Sequence, residues 1–357
     1  MEKALIAMSG GVDSSVAALI TKDAGYDCIG CTMRLFDGFD EPDDDTESTC
    51  CSLDDVEDAR SVARRLSMPF YAFNYKRSFK TCVIDKFAGD YRAGLTPNPC
   101  LDCNKYLKFG ELLRRAEELA CDKLVTGHYA VIEETDGGFC LKKAADPAKD
   151  QSYVLYTLGQ AELSHLLFPL GKLTKSEVRA IANAHGFVTA AKKESQDICF
   201  VPDGNYAAVL ERITGQGEQI GDFVDKDGNV LGKHKGISRY TIGQHKGLGL
   251  VTPEPLYVAS ISPADRSITL CTNNELFRRE FSVTDLSFVS GDAPGATFSA
   301  SVKIRYRHRE SPATLTMVGD SHAKVVFDSP ERAITPGQAA VFYDGDRVIG
   351  GGRIERG

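Results

Sequence analysis

No stretch of this sequence approaches the roughly 18 consecutive apolar residues that a membrane-spanning helix needs. The opening MEKALIAMSGG has no basic segment leading into an apolar core, so no secretory leader is read there. A cytoplasmic protein is the expectation. Internal repeats are lacking, as is the G-x-x-x-x-G-K-[ST] loop of the commonest nucleoside triphosphatases. Between residues 37 and 58 there is no Lys or Arg.

That last absence matters for charge. Residues 37–58 hold 11 of the 50 acidic residues, whereas all 42 Lys and Arg lie elsewhere. The net charge of −8 therefore hides a net positive remainder, and a basic face for a polyanion is compatible with the composition. The acidic run reads as a solvated, mobile loop.

Cysteine is plentiful. The chain has 11, an odd number, scattered between positions 28 and 271. That is not the disulfide framework of a small secreted protein. Cys28, Cys121, Cys140 and Cys271 sit among apolar residues and read as small buried hydrophobes. Cys100 and Cys103 in TPNPCLDCN, and Cys199 in ESQDICF, are the informative ones. A C-x-x-C by itself leaves zinc, a redox disulfide, an iron–sulfur cluster and a nucleophile all open.

Along residues 1–200, strand and helix signals alternate. KALIAM, YDCIGCTM, PFYAFNY and CDKLVTGHYA read as strands. VAALITKDAG, LDDVEDARSVARRLSM, NKYLKFGELLRRAEELA with Asn104 as N-cap, and TKSEVRAIANAHG with a Thr174/Glu177 capping box read as helices. The alternation predicts an α/β fold with a parallel sheet, whose ligands bind at the carboxyl ends of the strands. After about residue 205 one helix, YAAVLERITG, gives way to short strands between turn signals, as in a small barrel. Boundaries near 204 and 275 divide the chain into 1–204, 205–274 and 275–357.

SGGVDSS, Ser9 to Ser15, joins the first strand to the first helix. Two glycines allow a tight turn, the N–H groups at a helix start bind anions, and the serines add hydroxyls. It is a phosphate cradle, and it resembles the SGGxDS pyrophosphate loop of the ATP pyrophosphatases, which cleave ATP between its α- and β-phosphates. Asp13 is then placed to hold the bridging Mg2+.

The remaining motifs extend the resemblance over the whole chain. TPNPCLDCN, TGHYA, AADPAKDQSYVL, ESQDICF, GDFVDKDGNVLGKHKGI, YTIGQHKGLG and RYRH, in that order and spacing, are similar to the signatures of the tRNA-specific 2-thiouridylase family. The resemblance implies an N-terminal adenine-nucleotide α-hydrolase-like domain, a small central domain and a C-terminal β-barrel that clamps the anticodon arm of tRNA. It implies ATP-dependent thiolation of the wobble uridine. AMP is transferred to the C2 oxygen, and sulfur then comes from a persulfide on Cys199, loaded by a sulfur-relay protein, with Cys103 as the nucleophile that ends in a Cys103–Cys199 disulfide. Cys103, just before Asn104, would lie at a helix N-terminus that lowers its pKa.

By the same resemblance, ATP lies against Ala7, Met8, Ser9, Gly10, Gly11, Val12, Asp13, Ser14, Ser15, Met33 and Gly127. The tRNA contacts are Asn98, Pro99, Cys100, His128, Lys149, Asp150, Gln151, Arg305, Tyr306 and Gln338. Arg305, Arg307 and Arg309, on alternate positions of a strand, would form a phosphate track. Two positions depart from the family. Cys100 stands where many members carry Asp, and His245 where Arg is more usual. The three thiols of Cys100, Cys103 and Cys199 make a [4Fe–4S] cluster the alternative to the persulfide route. The competing functions are another adenylating synthase with the same loop, and a non-catalytic metal-bearing RNA-binding module.

Overall fold

The protein is described from a computed structural model, which covers residues 1–36, 38, 53–192, 198–201, 204–215, 217 and 219–356. Most of the acidic run, 37 and 39–52, lies outside the described residues, and its tail, 53–58, opens the helix that LDDVEDARSVARRLSM predicts.

The N-terminal part is a parallel sheet. Its strands are β1 (Lys3–Ala7), β2 (Asp27–Arg34), β3 (Phe70–Asn74), β4 (Lys123–Val125) and a two-residue strand, Leu166–Leu167, which pairs with β4. The spatial order is β3-β2-β1-β4-(166–167). From β1 the chain builds outward through β2 and β3, then returns to place β4 on the other side of β1. The topological switch point is therefore between β1 and β4, where a ligand crevice opens at the carboxyl ends.

Alternation along β1 sorts the helices onto two faces. Ala4 and Ile6 join a core with α1 (Val12–Asp23), α2 (Leu53–Arg65) and a later helix at Lys175–Ala184. Leu5 faces the other core, with Phe79 and Phe87 of α3 (76–92) and Leu107 and Leu112 of α4 (99–118). Both α3 and α4 contain a segment of wider, π-type turns, 80–84 and 103–111. The start of α4 corrects the sequence reading. Pro99 occupies the first turn and the Asn98 side chain accepts the Cys100 N–H at 3.2 Å, so the cap is Asn98. Asn104 is inside the helix and buried, donating from Nδ2 to the Val154 carbonyl at 2.9 Å.

A hairpin, β5 (Val131–Thr135) and β6 (Gly138–Lys142), leaves this sheet and extends the C-terminal one through a single Lys142–Arg347 pairing. Helix α5 (Lys175–Ala184) keeps the Thr174/Glu177 capping box read from sequence. After α6 (Tyr206–Thr214), four strands form a small sheet around Phe223, Val258 and Ile268. Beyond it, six antiparallel strands between Phe277 and Ile354 close into a barrel, because the strand at Phe277–Phe288 pairs with both His322–Arg332 and Arg347–Ile354. Among the described residues no helix is long and apolar enough to cross a membrane.

Candidate functional site

The turn from β1 into α1 lies at the switch point. Gly11 is the N-cap and supplies no side-chain cap, so the first amides of α1 are left for an anion. Ser14 and Ser15 Oγ both donate to the Gly11 carbonyl, at 3.1 and 2.9 Å, which closes the turn. Gly10 has φ +73°, and a Cβ there would lie 2.3 Å from the Asp55 carbonyl oxygen. The first turn of α2 is thus packed directly on the loop. Gly127, just past β4, approaches so closely that a Cβ would sit 2.9 Å from Ser14 N.

Two lysines grip this loop, and sequence reasoning missed both. Lys175, the first residue of α5, bonds Asp13 Oδ1 at 2.7 Å and Oδ2 at 2.8 Å. The Tyr129 hydroxyl donates to the same Oδ1 at 2.7 Å. Lys192 pairs with Asp55 and with Asp58 (2.8 Å) and donates to the Gly10 carbonyl at 3.3 Å. Two carboxylates of the acidic run, both on the helix that LDDVEDARSVARRLSM predicts, are therefore structural parts of the site. Asp13 was expected to hold Mg2+. Its carboxylate does face the phosphate turn, and a divalent cation there would share it with Lys175.

Two cavities meet at Ser9 and Asp13. The first, about 380 Å3, is bounded by Ala7, Met8, Ser14, Met33 and Gly127 on the nucleotide side. Cys100, Cys103 and Cys199 line the same cavity. Three thiols separated by up to 99 positions in sequence are brought to one space that also holds the phosphate loop. Cys103 is buried and Cys100 exposed. Cys103 stands in the second turn of α4, not at its start, so the expected effect of the helix dipole on its thiol does not apply, because that effect is confined to the first turn.

His128 also lines this cavity. Its ring packs between Phe109 and Phe168, with centroids 5.6 and 5.7 Å away, and Nδ1 is 2.7 Å from Thr126 Oγ1. Burial, reinforced by the nearby Lys108 charge, holds the imidazole well below its ordinary pKa. At neutral pH it is uncharged.

The second cavity, about 670 Å3, is a basic cleft. Lys149, Gln151, Lys175, Lys192, Lys303, Tyr306, Arg307 and His308 open onto it. Lys303 lies 5.9 and 5.8 Å from the ring centroids of Tyr153 and Tyr306, and burial lowers the pKa of its ammonium. The expected strand track of Arg305, Arg307 and Arg309 does not form. Residues 304–310 are turn and coil beyond the strand Thr297–Lys303, with His308 N bonded to the Arg305 carbonyl. Arg305 is half-buried and turned toward the Arg332 carbonyl.

Three other expected tRNA contacts have structural partners. Asp150 accepts from Ala144 N, Ser152 N and Ser152 Oγ, which shapes its own loop. Gln151 Oε1 accepts from Tyr129 N at 2.9 Å while still facing both cavities. Gln338 Nε2 donates to the Thr96 carbonyl at 2.8 Å, tying the barrel to the start of TPNPCLDCN. His245, exposed, rests its Nδ1 3.0 Å from the Leu256 carbonyl, away from both cavities.

The cluster alternative fits poorly. Cys100, Cys103 and Cys199 share a cavity, yet among the described residues no group of three or more His, Cys, Asp or Glu is arranged to hold a metal ion.

Comparison with known proteins adds the following. Residues 2–203 match a family model described as the tRNA methyl transferase HUP domain. Residues 208–272 match its PRC-barrel domain and residues 278–354 an aminomethyltransferase beta-barrel domain. The tRNA-specific 2-thiouridylase MnmA of Geobacter metallireducens is 47% identical over 357 residues, covering 99% of this chain and 97% of the relative. That of Clostridioides difficile is 47% identical over 360 residues, covering 99% and 98%. A solved 4-thiouridine synthetase–RNA complex with bound ATP is similar at 18% identity and a TM-score of 0.36, over 59% of this chain and 50% of that one.

Proposed function

We propose a division of labour between the two cavities from the premise that the chain belongs to the tRNA-specific 2-thiouridylase family. It is a tRNA-uridine 2-sulfurtransferase that uses ATP to thiolate tRNA. In our reading the adenosine lies in the smaller cavity against Met33 and Gly127. Its triphosphate follows the Ser9–Ser15 turn toward the basic cleft. The tRNA backbone crosses that cleft near Lys149, Lys303 and Arg307, so that a wobble uridine splayed from the anticodon loop reaches the cavity edge.

Uracil O2 is a poor leaving group until it carries AMP. Once it does, the terminal sulfur of a Cys199 persulfide bonds to C2, and the C2–O bond breaks as AMP departs with the oxygen. The Cys103 thiolate then attacks Cys199 Sγ. The S–S bond breaks with its electron pair on the thiouridine sulfur, and a Cys103–Cys199 disulfide is left for an external dithiol to reduce. The persulfide sulfur is supplied by a cytoplasmic carrier protein.

One observation carries this reading: the phosphate loop and the cysteines open onto one cavity. It is tested by measuring 2-thiouridine formation and tRNA-dependent pyrophosphate release for the wild type, Cys103→Ala and Cys199→Ala. Both variants are expected to lose thiolation and retain pyrophosphate release. Full thiolation by either would sink the sulfur route and favour another adenylation chemistry.

A further inference from the structure

We propose that Lys175 is the cation that receives the departing pyrophosphate, and that Asp13 holds it in reserve until a magnesium nucleotide claims the carboxylate. The proposal rests on the ATP reading above and deepens it. Three features single out this lysine. Its Nζ meets both oxygens of Asp13, at 2.7 and 2.8 Å, on the first turn of the phosphate-binding helix. Its side chain is only 11% exposed, and it faces the cleft that also exposes Ser9 and Gly11. Its backbone N–H is bonded to Asp146 Oδ2 at 3.0 Å, which fixes the root of the side chain.

The electrostatics favour an exchange. The amides at the start of α1 attract phosphate, but a free Asp13 carboxylate beside them would repel it. With Lys175 attached, the resting site is neutral at that point. A magnesium nucleotide held by Asp13 would supply the positive charge that offsets this repulsion, leaving the Lys175 ammonium for the phosphate oxygens. Lysine suits this role, being a compact charge on a flexible stem with rotatable donors. Lys192 is the contrast. It bonds two carboxylates and the Gly10 carbonyl, and so serves to fasten α2 onto the loop.

In adenylyl transfer the uracil O2 bonds to the α-phosphorus. The bond from that phosphorus to the oxygen bridging to the β-phosphate breaks, and its electron pair stays on that oxygen. The uracil N3 proton passes to water. The charge gained by the pyrophosphate is what Lys175 meets.

The test is equilibrium binding of pyrophosphate and of AMP, each with and without Mg2+, to the full chain and to Lys175→Met and Asp13→Asn. Lys175→Met is expected to weaken pyrophosphate binding by on the order of ten- to a hundredfold, the range of a charge-assisted hydrogen bond, with AMP binding unchanged. Asp13→Asn, which removes the competing carboxylate charge, is expected to bind metal-free pyrophosphate about two- to fivefold more tightly than the wild type. Equal losses for AMP and pyrophosphate, or no loss, would overturn the proposal. So would a failure of Asp13→Asn to gain metal-free affinity, and that arm decides the matter alone if Lys175→Met does not fold. A wild-type chain that binds no ATP overturns the ATP reading itself, which separates the two failures.

Discussion

Replacing Gly10 by Ala should damage both stability and nucleotide binding, and the structure separates the two contributions. At φ +73° the backbone is in the left-handed region, which costs a non-glycine residue about 1–2 kcal/mol. The new Cβ would also lie 2.3 Å from the Asp55 carbonyl oxygen and 2.8 Å from its Cα. Both are backbone atoms in the first turn of α2, held by the Lys192 pairs, so they cannot rotate away. Forcing such an overlap costs typically about 1–3 kcal/mol. The sum, about 2–5 kcal/mol, corresponds to a fall in Tm of about 4–20 °C for a domain of this size.

Gly25→Ala is the control. It has φ +91° but nothing within 4 Å of a built Cβ, so it should cost only the backbone strain, about 1–2 kcal/mol. Urea or thermal unfolding gives the stabilities, and ATP titration gives the affinities. Gly10→Ala is expected to be the less stable of the two and to lose ATP affinity, whereas Gly25→Ala keeps it. Equal stabilities with wild-type ATP affinity in Gly10→Ala would refute the claim that α2 braces the phosphate loop.

Two further outcomes follow from buried polar groups. Asn104→Ala removes the Nδ2 donor from the buried Val154 carbonyl and should cost about 1–3 kcal/mol, read as a lower urea midpoint; an unchanged midpoint would reject a structural role for this residue. His128 is held neutral by burial, so its folded pKa lies below the unfolded value of about 6.5. The unfolded chain therefore binds the extra proton, and stability present above pH about 6.5 is lost as the pH falls toward the folded pKa. His308, also depressed by burial with Arg305 adding to it, contributes in the same direction. His128→Gln should make stability less sensitive to pH below about 6.5, and an unaltered pH profile would contradict the burial argument.

Much of the N-terminal fold was legible because its signals are short-range. Alternating apolar strands and capped helices implied the parallel sheet, and the Thr174/Glu177 box is present as read. The start of α4 was misread, although Pro99 at a first helical position and Asn98 before it were visible; Asn104 has the residue type of a cap but points into the core. The arginine track failed for a related reason. SVKIRYRHR alternates like a strand throughout, yet the chain leaves the barrel after Lys303.

The sequence by itself determined the elements whose causes lie within a few residues: the Gly-rich turn after β1, the strand–helix alternation, the C-x-x-C at a proline-bounded helix start. Only the tertiary structure decided which side chains share a space. Lys175 and Asp13 are 162 positions apart, and Lys192 and Asp55 are 137. No local propensity encodes such pairs. They exist because the order of strands around β1 brings the first turn of α1, the start of α2, the start of α5 and the chain beyond it to one edge of the sheet, where charges of opposite sign can meet partly out of water.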